Sequence, residues 1–509
     1  MPNQYDRMAH LLRRAGFGAR PDEVENYLKT GFEATVDQLI NYENVAENPA
    51  IPATPITRDG TFNIRLLTPE DTASWWIERM VRTRRPLQER MVLFWHDHFA
   101  TSVSKVGAPN GYKYLYWQNL TFRQYATGNF RALVKAINRD PAMLWWLDNY
   151  LNVKGSPNEN YARELFEIFT LGLDAFFAGA YSEPDVQQAA RAFTGWGLKC
   201  GDNLMFCLFD KELMNEQNGP ITNPADVIEV PPNIPDNSRA SQRHDYGDKT
   251  VFGQTGNFNG DDIVDLVFDR EPQRTFAARM ICKKLFEYFA YENPESHVVD
   301  HLAAVALRTN FDIKAILRDL FLNTKEFYSE RAMHALVKWP AYYAVSAMRL
   351  TQAAMNWRQL YGAGFGGVNV PAPSSIGAMG QVLLNPPDVF GWPGRADWVT
   401  TSQLFARANF ANNLATARNS AGNPGIPIDS VLNIAGLDLN ATAEQVVDYF
   451  VKLLVQTQLP AELRQLLIDY LKKDDSGVVG NFRLDEATKD KKVRGLIHLL
   501  LSRPEAQTF

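Results

Sequence analysis

The chain has 509 residues, 45% of them hydrophobic and 22% charged, which suffices for a large buried core and excludes a disordered or fibrous protein. Its formal net charge of -6 offers no overall attraction to nucleic acid or anionic membranes, so no nucleic-acid partner is expected. No stretch reaches about 18 uninterrupted apolar residues, so no membrane span is expected either.

From the start of the chain, Met1 to His10 is polar and runs directly into Leu11-Leu12-Arg13-Arg14 with no secretory apolar segment, which predicts a cytoplasmic protein. Pro21, Pro69, Pro86, Pro141, Pro184 and Pro272 stand where first helical turns would begin, and Gly16, Gly31, Gly128, Gly172 and Gly195 where helices would stop. Apolar residues between them recur at three-and-four spacing, as in Trp76, Met80 and Val81, while strand-like alternation is scarce. The expected fold is mainly α, a multi-helical array with little β-structure.

The first polar cluster is Phe94-Trp95-His96-Asp97-His98-Phe99. A His-x-His pair suits a shared metal ion when the backbone is extended, because alternate side chains then share one face. On a helix, residues two apart point about 200° from each other, so a shared metal needs the preceding helix to end near Trp95. Further on, Asp148 follows the Trp145-Trp146 pair, and tryptophans beside acids suit carbohydrate stacking as well as core packing.

Pro157-Asn158-Glu159-Asn160-Tyr161-Ala162-Arg163-Glu164-Leu165 is the densest polar opening of any predicted helix. Asn158 is placed to cap it, and Glu159 and Arg163, four apart, are placed to pair along one face. A structural ion-pair network accounts for the segment; so does a site in which Glu159 or Glu164 is a general acid or base tuned by burial and by Arg163.

Two long interruptions follow, from about Cys200 to Gly260 and from about Tyr361 to Thr400, both rich in Pro, Gly and Asn. Loops of this length inside a compact domain are usually functional or disordered. The first contains Arg243-His244-Asp245-Tyr246-Gly247-Asp248-Lys249, which reads equally as a substrate-contacting loop and as a packing segment. The three cysteines, Cys200, Cys207 and Cys282, are too few for a disulfide scaffold, and pairing of Cys200 with Cys207 is left open. Beyond residue 425, amphipathic helices around 443–456, 460–473 and 485–502 predict an appendage over 425–509 packed on a helical domain over 1–410. The sequence holds no His-Glu-x-x-His, phosphate-binding loop, Gly-x-Ser-x-Gly or Cys-x-x-Cys signature.

Taken in order, His10 to Gly18, Phe94 to Phe99, Pro141 to Leu144, Leu147 to Asn149, Asn158 to Gly172, Ala190 to Trp196, His244-Asp245 with Lys249 and Gly253, and Pro387 to Trp398 resemble a bacterial family catalogued only as domain of unknown function 1800. The resemblance covers about residues 5 to 410. It implies a largely helical protein, often exported, whose protein partner would be a second family resembling sulfatases and phosphatases. Two departures stand out: an export signal found in many members is absent, and Phe169 stands where some members carry His.

Together these features predict a hydrolase-like enzyme acting on a polysaccharide or related ester through one polar cleft. Its catalytic candidates are Glu159, Glu164, His96, His98 and His244; its substrate-binding candidates are Arg163, Asn160, Arg243, Lys249 and Asp148. A divalent metal is the candidate cofactor, with His96, His98, His244 and Asp245 as candidate ligands. The rival expectation is a non-catalytic helical binding or assembly scaffold whose polar clusters are structural.

Overall fold

Short polar side chains set the helix starts. In the computed structural model, Asn3 accepts from Asp6 N at 2.8 Å, Asn129 from Ala132 N at 3.0 Å, Asp140 from Met143 N at 3.1 Å and Asp312 from Ala315 N at 3.3 Å. Each satisfies a backbone donor that a first turn leaves free, a contribution of about 1 kcal/mol per cap. Residues 2–49, 51, 69–106, 111–200, 207–210, 244–353, 372–418, 422–474 and 476–509 are described by the structure. Among them the architecture is mainly α, with extended pairing confined to two hairpins and isolated bridges. No described helix is long and apolar enough to cross a membrane.

The helix Pro86–His98 is the central element, buried from Leu87 through His96. Pro86 starts it at the position where a missing N–H costs nothing. Its apolar residues face neighbours on all sides rather than along one stripe, as a helix sunk within a core requires. Trp95 is fully buried and donates from Nε1 to Ala126 O at 2.9 Å, a placement that stabilises by about 2–3 kcal/mol through its apolar area. Tyr288, on the helix Gln273–Phe289, donates from Oη to Arg90 O at 3.0 Å and fixes that helix against the central one.

The charges on the central helix are also accounted for. Glu89 is fully buried and accepts from Arg123 at 2.8 and 2.9 Å, from Arg79 at 2.7 Å and from Trp76 Nε1 at 3.1 Å. Burial alone would raise its carboxyl, but the two guanidinium groups overcome it and hold the group down at about 2.

Both predicted interruptions contain regular structure. Within the first, Gly197–Cys200 pairs with Cys207–Asp210, placing Cys200 opposite Cys207, and Lys249–Val251 pairs with Gln254–Gly256. Residues 201–206 and 211–243, including Arg243, lie outside the described residues. Within the second, Ala372–Ala378 is helical and Arg395–Val399 forms a short 3-10 turn. The later helices Ala443–Phe450, Ala461–Lys472 and Arg494–Leu501 match the expected ones, and the buried core is continuous from Met8 to Phe509. Tyr343 Oη donates to Leu501 O at 3.0 Å and Arg494 donates to Ala415 O at 3.0 Å, tying the last helices to the preceding ones.

Candidate functional site

The central helix does not end near Trp95; it continues through His98. His96 and His98 therefore diverge, and the geometry for a metal shared between them is not formed. His96 is buried among Trp76, Phe122 and Trp392, with ring-centroid distances of 5.5, 6.3 and 5.2 Å. This apolar cage pushes its imidazole down to about 3, so the ring is neutral at physiological pH.

His98 turns the other way. Its Nε2 lies 3.1 Å from Phe169 O and its Nδ1 lies 3.1 Å from Lys284 Nζ. A carbonyl only accepts, so Nε2 carries the proton and Nδ1 accepts from the lysine. Burial and Lys284 both hold the imidazole well below its ordinary range, which keeps this neutral tautomer. Lys284 Nζ also donates to Ile168 O at 3.2 Å. Both carbonyls belong to the last residues of the π-helical turn Leu165–Thr170, where the helix end leaves carbonyl groups free for outside donors. The wide turn thus positions His98 and, through it, the ammonium.

Asp97 lies between the two histidines and receives Trp392 N on Oδ1 at 2.9 Å. The turn that delivers this N–H needs Gly391, which sits at φ +88°; a Cβ there would overlap the Asp97 carboxyl and fall 2.8 Å from its carbonyl oxygen. Gly391→Ala is therefore expected to cost about 1–3 kcal/mol and undock the turn, read as a lower urea midpoint with unchanged m-value. Burial pushes Asp97 up to about 7, opposed by the Trp392 N–H and by Lys284. Burial pushes Lys284 down to about 8, opposed by Asp97 and Glu287.

Asp97, His98 and Lys284 line one cleft of about 260 Å³, with Arg90 and Tyr288 on its walls and Trp339, Phe390 and Trp392 among its other aromatics. A larger hollow of about 480 Å³ is bounded by Tyr5, Val24, Lys452 and Leu459. Arg464 pairs there with Asp448 at 2.6 Å, and Lys452 lies over the Tyr5 ring at 4.2 Å.

Of the catalytic, substrate-binding and metal candidates among the described residues, only His98 lines the cleft. The helix starts at Asn160, itself exposed, with Glu159 rather than Asn158 at the N-cap position; Asn158 Oδ1 still accepts Asn160 N at 2.9 Å. Arg163 binds Glu159 at 3.1 Å, Glu167 at 3.3 Å and Glu183 at 2.7 Å, and these pairs, Glu183 foremost, raise its guanidinium further. Glu164 is half-buried and raised by that burial and by Glu167. Asp148 pairs with Lys105 at 2.8 Å.

The His244 segment packs elsewhere, against the end of the helix Glu183–Ala192. His244 Nδ1 donates to Thr194 O at 2.7 Å, and burial lowers the ring. Gly195 at φ +80° allows the close approach, since a Cβ there would lie 2.9 Å from His244 N. Asp245 accepts from Arg191 at 2.6 Å and Gly247 N at 2.9 Å, while buried Lys249 donates to Gly247 O at 2.9 Å. From His244 onward the segment therefore packs against the Glu183–Ala192 helix end, and Phe390 and Trp392, on the turn through Gly391, wall the cleft.

The candidate metal ligands are not brought together: His96 and His98 diverge, and His244 and Asp245 pack elsewhere. Both His98 nitrogens are engaged, His244 Nδ1 is committed to a carbonyl, and Asp245 is held by Arg191. Among the described residues no group of three or more His, Cys, Asp or Glu side chains could hold an ion. Sequence reasoning missed Lys284, Arg90 and the weight of Asp97. A signal for Lys284 was present: it follows Ile281 by three and precedes Tyr288 by four, which puts a lysine on an apolar face.

The chain belongs to a family described as protein of unknown function, DUF1800, which matches residues 10–508 and so includes the last helices as well as the motif-bearing part. No curated protein and no solved structure matches it.

Proposed function

We propose that the protein is a hydrolase acting on a polysaccharide or related ester, with Asp97 and Lys284 as the reacting groups of the cleft. One observation carries the reading: an acid raised to about 7 and an amine lowered to about 8 face the same cavity, poised for proton transfer near neutral pH. Asp97 as carboxylate takes a proton from water while the water oxygen bonds to the ester carbonyl carbon. Lys284 as ammonium gives a proton to the departing alkoxide as the C–O bond breaks, and proton return from Asp97 to the Lys284 amine resets the site. His98 is a positioning residue, since it holds the ammonium through Nδ1.

The test is a panel of chromogenic esters and glycosides offered to the intact protein and to Glu159→Gln and Glu164→Gln. Both variants are expected to keep within about twofold of the parent rate, because neither residue lines the cleft. A large loss in either would return the reaction to the 159–164 helix.

A second reading, a non-catalytic binding or assembly scaffold, draws support from the ion pairs that engage Arg163, Asp245 and Asp148. It takes a sulfatase- or phosphatase-like protein as partner and an extracytoplasmic location, and co-purification of the pair tests it.

A further inference from the structure

Arg90 is 1% exposed and lines the cleft, yet its Nη2 has no hydrogen-bond partner. Its Nε makes one bond, to Arg14 O at 3.3 Å. The guanidinium carbon lies 4.4 Å from the Tyr288 ring centroid and 4.9 Å from that of Tyr342. Aromatic faces lessen the cost of a buried cation, but they leave its N–H donors without an acceptor.

The neighbouring charge does not supply one. Arg14 is fully buried, and its Nε and Nη1 are also unpartnered. Three carboxylates line the cleft and serve other groups: Asp97 and Glu287 act on Lys284, Asp97 Oδ1 takes the Trp392 N–H, Glu287 Oε1 takes Asn293 N at 3.1 Å, and Glu292 is engaged as well. Arg90 thus lines the cavity with a buried donor, Nη2, that meets no protein acceptor.

The mouth carries a second feature. Phe390 lines the same cleft and is 72% exposed. It is held by a turn in which Phe390 N donates to Asp388 Oδ1 at 2.8 Å and the next-but-one N–H is bound by Asp97. A large aromatic ring kept in water on a fixed turn beside a cavity provides a stacking face.

We propose that the cleft is an oxyanion site, which takes a ligand bearing a carboxylate or sulfate-type group on a flat apolar body, the oxyanion on Arg90 and the body against Phe390. This rests on the reading of the cleft as the substrate site and names the substrate class, an ester of an acidic sugar or of a similar anion. The guanidinium suits such a group because its unpartnered Nη2 can give a charge-assisted hydrogen bond to an anionic oxygen.

The experiment titrates the full chain with benzoate, benzenesulfonate and benzyl alcohol by calorimetry, so that no turnover is needed. At least one anion is expected to bind about tenfold or more tighter than the alcohol. Tighter binding of benzoate identifies a carboxylate ligand, and tighter binding of benzenesulfonate a sulfate. Arg90→Lys is expected to weaken the anion by about five- to tenfold, and Phe390→Ala to weaken both anion and alcohol. Equal affinity for anion and alcohol overturns the proposal, as does anion binding that Phe390→Ala leaves unchanged. Should Arg90→Lys fail to fold, those two comparisons still decide, since Phe390 is exposed. Anion binding without any ester hydrolysis would sink the hydrolase reading alone; hydrolysis of neutral esters with indifference to benzoate would sink this proposal alone.

Discussion

Glu89→Ala is expected to unfold the protein or to lower its stability by about 3–5 kcal/mol, a large share of the roughly 5–15 kcal/mol that holds a typical domain. The reason is what the substitution leaves behind. Arg123 and Arg79 both bond to this one carboxylate, and Trp76 donates its indole N–H to it. Without it, two guanidinium groups lose a shared counter-charge in the region where the helices Pro69–Arg82, Pro86–His98 and Gly111–Gln124 meet. Urea unfolding followed by circular dichroism reads the effect. Arg163→Ala is the control: it breaks a network of similar size on paper, but at part-exposed positions where such pairs contribute about 0–1 kcal/mol. Equal losses from the two variants would contradict the central role given to Glu89.

Lys284→Met is expected to lower hydrolysis by about 10²- to 10⁴-fold while leaving the fold intact. Methionine keeps the length and the apolar stem and removes only the ammonium. That ammonium is costly where it lies, as its lowered proton affinity records, and its removal offsets the loss of its bonds to His98 Nδ1 and Ile168 O. Chemistry suffers because the leaving group loses its proton donor. Lys284→Arg is expected to fail as a substitute, since a guanidinium is bulkier and does not release a proton near pH 8. Thermal unfolding and steady-state rates, measured on the same preparations, separate the two effects. A rate retained within about twofold in Lys284→Met would remove the residue from the mechanism.

The helix starts were legible in the sequence because capping is local. Asp140 three residues before Met143 states its own hydrogen bond, and Pro86 marks the first turn of the central helix. The Glu159–Arg163 pairing was legible for the same reason, through four-residue spacing. The cleft was not. Its lysine lies 186 positions from His98, and the carbonyls that orient both come from a π-helical turn that no residue pattern announces. The divergence of His96 and His98 depended on where one helix stopped, and tertiary packing carried it three residues beyond Trp95. Gly391 and Trp392 stood in a motif already conspicuous, but only the fold brings them 295 positions back to Asp97. His244, conspicuous as a loop histidine, proved to be an internal pin against Thr194.

The pH dependence of kcat/KM for the parent protein and for Asp97→Asn, measured on whichever ester or glycoside is hydrolysed fastest, tests the reacting pair most directly. The reaction needs Asp97 ionised, so the rate should climb through about 7, and it needs Lys284 protonated, so the rate should decline above about 8. Asp97→Asn should fall by about 10²-fold or more and lose the acidic limb. A variant with the parent's rate and the parent's two limbs would contradict the assignment of Asp97 and Lys284 as the reacting pair.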